Sequence, residues 1–149
     1  MSMRMTRRAA AAVLAVALGG GVLSACSEPV AEATLADAAK VEEADGKPTK
    51  ITLLGQAAER LGLTTVAMAA GTSGGQMTVP DSAILYDADG QTFVYTNPAG
   101  SEFVRADVTV VTIAADKATL SAGPPVGTKI VTIGAAELFG VETGLGGGH

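Results

Sequence analysis

The residues of this chain that could carry chemistry are few and far apart. The only histidine, His149, follows a run of glycines at the end of the sequence. A general base must be held within hydrogen-bond reach of its proton, and a glycine-rich segment does not provide that. Asp87 and Asp89 stand beside Gly90, where turn formation accounts for both carboxylates. We therefore expect no catalytic residue, no cofactor and no resident metal site, and we expect that the protein is not an enzyme.

Two methionines and one arginine also call for an interpretation. Met68 and Met77 lie in strand-like runs, so we expect them to pack in the core, with a soft-metal site as the alternative. Arg105 lies inside an apolar strand, and alternation places Phe103, Arg105 and Asp107 on one face. This pattern predicts a solvent-facing Arg105–Asp107 pair, which contributes little to stability. The alternative is that Arg105 and Asp107 dock a membrane partner.

The start of the chain has the organisation of a secretory signal. Residues 1–8 carry three arginines and no acid, and residues 9–22 are uncharged and mostly small or aliphatic. The segment closes with Leu-Ser-Ala before Cys26, the only cysteine, and this resembles the lipobox of bacterial lipoproteins. The resemblance implies cleavage after residue 25 and diacylation of Cys26. A membrane-spanning helix is the alternative, but three glycines at 19–21 interrupt it.

Charge restricts the partners of the remaining chain. Residues 27–149 carry seven basic and fifteen acidic side chains, a net charge of −8. An acidic surface without a basic cluster excludes nucleic acid and anionic headgroups as electrostatic partners. We therefore expect membrane lipid to be reached through acylated Cys26, with the body of the protein on the extracytoplasmic side of the cell membrane, facing the periplasm or cell wall.

The chain divides into four parts by composition. We expect a lipoprotein signal peptide over residues 1–25 and a flexible acidic tether over residues 26–48, which have few large apolar side chains. Residues 49–142 are expected to form the domain, and residues 143–149 a glycine-rich disordered tail.

Strand signals dominate residues 49–142. We expect strands at 50–54 and 64–70 around a short helix at 56–63, and a Gly/Ser connector at 71–76. Residues 79–139 hold every aromatic residue and the densest β-branched runs, so the core is expected there. Asp89-Gly90 between strand-like runs predicts a hairpin with a primed turn. The predicted fold class is mostly β, a small antiparallel barrel or sandwich with one or two short helices.

The same strands resemble the membrane-proximal domain of the periplasmic adaptor subunits (membrane-fusion proteins) of RND-type efflux pumps. The matching positions in the second block are Val79-Pro80, Ala83-Ile84-Leu85, Gly90, Phe93-Val94-Tyr95, Phe103, Arg105, Val108, Gly127, Ile130-Val131, Gly134-Ala135 and Leu138. The first block matches at Ile51, Leu53, Gly62, Leu63 and Val66. In the family, barrel, lipoyl and hairpin domains separate the two blocks, whereas here only the connector does.

The resemblance implies a function without catalysis. It predicts a lipid-anchored accessory protein that docks on, or modulates, a membrane transport complex. The two blocks are then expected to pair within one domain. The alternative is an envelope lipoprotein that binds a small ligand, a metal ion or an apolar compound, and hands it on.

Overall fold

The computed structural model describes residues 38–144. The predicted signal peptide, the first part of the tether (26–37) and most of the tail (145–149) lie outside these residues. The strands are β1 (Ala39–Ala44), β2 (Lys47–Leu53), β3 (Thr64–Ala67), β4 (Ala69–Ala70), β5 (Met77–Pro80), β6 (Leu85–Tyr86), β7 (Thr92–Ala99), β8 (Glu102–Asp107), β9 (Thr109–Ala114), β10 (Lys117–Ala122) and β11 (Lys129–Ile133). The helices are α1 (Ala57–Arg60) and α2 (Ala135–Glu142), and a 3-10 turn covers Asp81–Ala83.

Over residues 38–144 the strands form two antiparallel sheets. The larger sheet has the order β1-β2-β8-β7-β11-β3, with β6 also paired to β7, and the smaller has the order β4-β5-β10-β9. The predicted mostly-β class is confirmed. The two sheets do not close into a barrel within these residues, so the sandwich is the form that the chain adopts.

The larger sheet lies between two apolar cores because its side chains alternate between its faces. On one face Val94 and Ile130 meet Val79, Ala118 and Leu120 of the smaller sheet, and we call this cluster the inter-sheet core. On the other face the cluster is Ile51, Leu53, Phe93, Tyr95, Phe103 and Val131 together with Ala135 and Leu138 of α2. We call that cluster the helix-side core. The resulting layers are helix, large sheet and small sheet.

Two nearly continuous strands pass from one sheet to the other. Strand β3 becomes β4 at Met68, whose backbone N–H and C=O bond to Thr128 and Gly127 instead of a regular ladder. Strand β8 becomes β9 at Val108, whose N–H donates to the carbonyl of Thr92. Both corner residues are buried in the inter-sheet core. Core packing of Met68 and Met77, expected from the sequence, is confirmed.

The two blocks of the chain complete each other's sheets, as the sequence predicted. Strand β2 pairs with β8, β3 pairs with β11, and β4 pairs with β5. The connector at 71–76 is largely exposed and is held by the Gly71 N–H, which donates to the Gln76 carbonyl at 2.8 Å. The first block is therefore an integral part of both sheets.

The expectation of a flexible tether over residues 26–48 is wrong for its second half. Residues 39–44 form β1, which pairs along β2 from Ala39↔Leu53 to Ala44↔Lys47. Val41 and its charged neighbours are exposed and Ala39 packs at the edge of the helix-side core, so backbone hydrogen bonds hold most of this strand. Because β1 buries little apolar surface, composition alone did not reveal it.

Turn geometry also departs from the prediction. The hairpin between β6 and β7 forms, but through the five-residue loop 87–91, in which Gly90 has φ 77° and Asp89 does not have a positive φ. The two-residue loop with positive φ at both positions joins β9 to β10, at Ala115 (φ 49°) and Asp116 (φ 61°). That is the geometry of a primed turn, built here without glycine.

Helix α2 is tied to the first block through Gly134. This residue begins the helix with φ 82°, and a Cβ placed there would lie 2.2 Å from Cδ2 of Leu63. Glycine suits this position because its backbone is left-handed, and the Leu63 side chain packs directly against it.

Candidate functional site

Arg105 lies on the same face of β8 as Phe103, as the alternation predicted, but this is the helix-side face and Arg105 is not solvent-facing. Its neighbour across the strands is Tyr95, and its guanidinium carbon lies 3.8 Å from the centre of the Phe93 ring. A guanidinium over an aromatic face is attracted by the negative charge of the ring face. The side chain is 20% exposed, so it covers the edge of the helix-side core.

Two carboxylates bind the Arg105 guanidinium. Nη2 donates to Asp87 Oδ2 at 2.6 Å, and Nη1 donates to Glu142 Oε1 at 3.1 Å. Burial lowers the pKa of Arg105, but the hydrogen bonds with Glu142 and Asp87 outweigh that effect and raise it. The predicted pairing of Arg105 with Asp107 is therefore wrong, and both partners come from other elements.

Glu142 links the guanidinium to a buried phenol. The Tyr95 hydroxyl donates to Glu142 Oε2, and the Glu142 side chain is only 7% exposed. Burial, then the hydrogen bond to Glu142, raises the pKa of Tyr95 well above its usual range. We call Asp87, Tyr95, Arg105 and Glu142 the Arg105 cluster. It fastens the end of α2 to the larger sheet.

The β6–β7 hairpin positions Asp87 for this role. Its Oδ1 accepts the backbone N–H groups of Asp89, at 3.0 Å, and of Gln91, at 2.8 Å. The hydrogen bond from Gln91 is the largest cause that lowers the pKa of the Asp87 carboxyl, and the hydrogen bonds from Arg105 and Asp89 lower it further. The turn role expected for Asp87 is confirmed, and its second oxygen is left to bind Arg105.

Glu142 is the member of the cluster that sequence reasoning missed. It lies four residues after Leu138, a buried residue of α2, and positions four apart share a helix face. A carboxylate on an apolar face is the signal that could have found it, because a buried charge needs a partner. That signal becomes usable only when residues 135–142 are recognised as a helix.

Asp107, the second predicted site residue, is exposed at the end of β8. Among residues 38–144 it has no ion-pair partner. It borders an open groove of about 820 Å³, formed by the start of β2 (residues 46–49), the loop at Gln91, and β8 with the start of β9 (residues 104–109). Arg105 lines the same groove. We call it the β2–β8 groove.

The groove exists because two paired strands separate. Pairing between β2 and β8 runs from Thr52↔Glu102 to Lys50↔Val104 and is not continued to Thr49. Lys50, in the last of these residue pairs, also forms an ion pair with Glu102 of β8, at 2.8 Å. Beyond it stands Pro48, which has no N–H to donate to a ladder. The edge of β8 from Arg105 to Asp107 therefore faces open space.

The groove carries few charged groups. Its charged groups include Lys47 and the unpaired Asp107, while Arg105 and Asp87 already neutralise one another. Within the described residues no group of three or more His, Cys, Asp or Glu side chains is placed to hold a metal ion. Cys26 and His149, the remaining residues of interest, lie outside residues 38–144.

Comparisons with known proteins give no family. No protein-family model, curated protein or solved structure matches this chain. In the part of the chain that the structure describes, neither helix is long and apolar enough to span a membrane.

Proposed function

We propose that this protein is a lipid-anchored, extracytoplasmic accessory protein that docks, without catalysis, on a membrane transport complex of the efflux type. The β2–β8 groove is the observation that carries the proposal. It contains both residues that the docking alternative named, Arg105 and Asp107, on a surface that is open to a partner.

The groove suits an extended segment of a partner protein. An exposed strand edge offers backbone donors and acceptors to an added strand, and side chains beside the edge give specificity. The charge of Arg105 is matched within the cluster, so specificity would come from Lys47 and Asp107. Arg105 then acts as a positioning residue that keeps the edge of β8 in place.

Resemblance supports the class of partner. The positions that resemble the membrane-proximal domain of efflux adaptors lie mainly in strands of the larger sheet, β2, β3, β7, β8 and β11, and in β5 of the smaller sheet, and that domain faces a membrane transporter in the family. Between the two blocks there are only the connector residues 71–76. Such a protein would adjust a transport complex rather than bridge two membranes.

Site-specific photocrosslinking tests the docking surface. A photoreactive amino acid placed at Thr49 or Asp107, in the groove, should form an adduct with an integral membrane transport protein in intact cells. The same amino acid at Thr72, an exposed residue of the connector, is the matched control and should form none. Equal adducts at all three positions, or adducts with lipid alone, would contradict docking through this groove.

The anchor is tested separately. A Cys26→Ser variant should lose incorporation of labelled palmitate and should leave the membrane fraction. A wild-type protein that stays in the membrane without incorporating label would show instead that residues 1–26 act as a spanning segment. Either result is independent of the crosslinking experiment, because one concerns the anchor and the other concerns the folded domain.

A further inference from the structure

A second groove lies on the opposite side of β2 from β8, and nothing in the docking proposal uses it. It has a volume of about 400 Å³ and lies between the end of β2, helix α1 and the last turn of α2. Its apolar wall is formed by Leu53, Leu54, Leu61 and Val141, and Arg60 stands among the lining residues. We call it the α1 groove.

Local structure keeps the α1 groove open. Strand β2 ends at Leu53, the chain turns at Gly55 with φ 55°, and α1 is a single helical turn. Alanines at 38, 39 and 57 line the groove where larger side chains would fill it. Leu53 forms the buried floor, whereas Leu54 is 44% exposed.

The backbone around the groove is already hydrogen-bonded. The Leu53 N–H donates to Ser101 O at 2.9 Å, and the Leu54 N–H donates to Ala38 O at 2.7 Å. The Leu54 carbonyl accepts the N–H of Ala57 at 3.1 Å. An added peptide strand would find no free backbone partner at these positions. The groove therefore suits an occupant that needs apolar contact and few hydrogen bonds.

Arg60 supplies the charge at this groove. It is an exposed residue of α1, and of the residues that the structure describes no carboxylate lies within 4.0 Å of its guanidinium. Arg105, in contrast, is bound by two carboxylates. A guanidinium that no described carboxylate binds, beside an apolar wall, is complementary to one anionic head on an alkyl chain.

We propose that the α1 groove binds a free fatty acid, with the carboxylate on the Arg60 guanidinium and the alkyl chain along Leu54, Leu61 and Val141. The volume falls in the range of small-ligand pockets, about 300–1,000 Å³. A bilayer surface is a poorer occupant, because a single cation on an acidic protein does not attract anionic headgroups. This activity goes beyond docking and does not depend on it.

The proposal is tested by titrating the isotope-labelled protein with octanoate, decanoate and dodecanoate below their micelle concentrations. Amide NMR shifts should concentrate at Leu54, Gly55, Leu61 and Val141. The dissociation constant should fall by up to about fourfold for each methylene group that the groove buries. Decanol should bind more weakly than decanoate, because it lacks the charge.

Two variants separate the charge from the apolar wall. Arg60→Gln should weaken decanoate binding by about fivefold, the upper range of an exposed ion pair, and leave decanol unchanged. Leu54→Ser should weaken both ligands. Lys129→Gln, which removes a cation three strands away in the larger sheet, is the charge-matched control and should weaken neither.

Three results would overturn the proposal. These are an affinity that does not rise from octanoate to dodecanoate, amide shifts centred outside the α1 groove, and equal weakening by Arg60→Gln and Lys129→Gln. The last result would assign the effect to net charge rather than to the site. Because Arg60 and Leu54 are exposed, both variants should keep the wild-type spectrum in the absence of ligand, and this is checked first.

Discussion

Replacing Arg105 with methionine tests the central contact of the fold. The substitution keeps an unbranched apolar side chain over Phe93 but removes the guanidinium that binds Glu142 and Asp87. Glu142 would then keep only the Tyr95 hydroxyl among the partners that the structure records, while remaining 7% exposed. A carboxylate in that environment is costly without a cation.

The expected loss follows from the burial of the partners. Removing one partner of a fully buried ion pair costs about 3–5 kcal/mol, whereas exposed pairs contribute about 0–1 kcal/mol. Arg105 is 20% exposed and lies between these limits, so we expect a loss of about 2.5 kcal/mol in the free energy of unfolding. In a domain of this size that corresponds to a fall in Tm of about 10 °C.

Urea denaturation followed by circular dichroism at pH 7 measures this loss, and Arg60→Met is the matched control. Arg60 is exposed and lies outside the cluster, so its variant should lose less than about 0.5 kcal/mol. Glu142→Gln should lose about 1 kcal/mol, because the amide oxygen still accepts hydrogen bonds. The double variant Arg105→Met/Glu142→Gln should lose about 1 kcal/mol less free energy of unfolding than the sum of the two single variants, because the two side chains are in contact.

The reasoning fails if Arg105→Met behaves like Arg60→Met. A loss below about 0.5 kcal/mol, together with additive single losses, would mean that the cluster contributes no net stability.

Four further predictions concern pH, one turn, the connector and the shared sheets. The pKa of Tyr95 is raised in the folded state, so the protonated phenol stabilises the folded protein. This contribution to the free energy of unfolding is complete below the pKa of an unfolded tyrosine, near 10, and decreases as the pH rises above that value. Wild-type stability should therefore fall between about pH 10 and 11 by up to about 1.4 kcal/mol, and Tyr95→Phe should show a shallower fall in urea titrations at each pH. Ala115→Asn should raise the free energy of unfolding by about 0.5–1 kcal/mol, because asparagine tolerates positive φ better than alanine, and an unchanged or lower midpoint would contradict this. Six Gly/Ser residues inserted after Gly74 should lower the free energy of unfolding by only about 0.6 kcal/mol. Deleting residues 50–70 should instead give an aggregating fragment, because it removes strands that both sheets need. A dispersed NMR spectrum from a monomeric fragment of residues 77–149 would refute the shared-sheet arrangement.

Much of the fold could be predicted from sequence because its signals are local. β-branched and aromatic residues recur at the spacing of strands, so the strands expected at 50–54 and 64–70 lie close to β2 and to β3 with β4. Gly90 indicated a hairpin because glycine accepts positive φ. The pairing of the two blocks was also predicted, although from resemblance. Strand β1 escaped detection because hydrogen bonds to β2 hold it with little apolar burial.

The environment of each strand could not be predicted from the same signals. Alternation correctly assigned Phe103 and Arg105 to one face, but alternation does not say whether a face meets water or a helix. Helix α2 covers that face, so the expected surface pair became a half-buried cluster. The corners at Met68 and Val108 likewise depend on how two sheets pack, which is not a property of either strand alone.

The sequence by itself determined where most strands of residues 49–142 form and which side chains share a face, because φ/ψ preference and periodicity act between neighbours. Only the tertiary structure decided the partners of Arg105, since Asp87 lies 18 residues before it and Glu142 lies 37 residues after it. The same holds for the β2–β8 groove, which forms where β2 and β8 separate beyond Lys50 and Val104. Contacts between distant residues are fixed by the packing of whole elements, and that packing is a balance of burial and chain entropy over the entire domain.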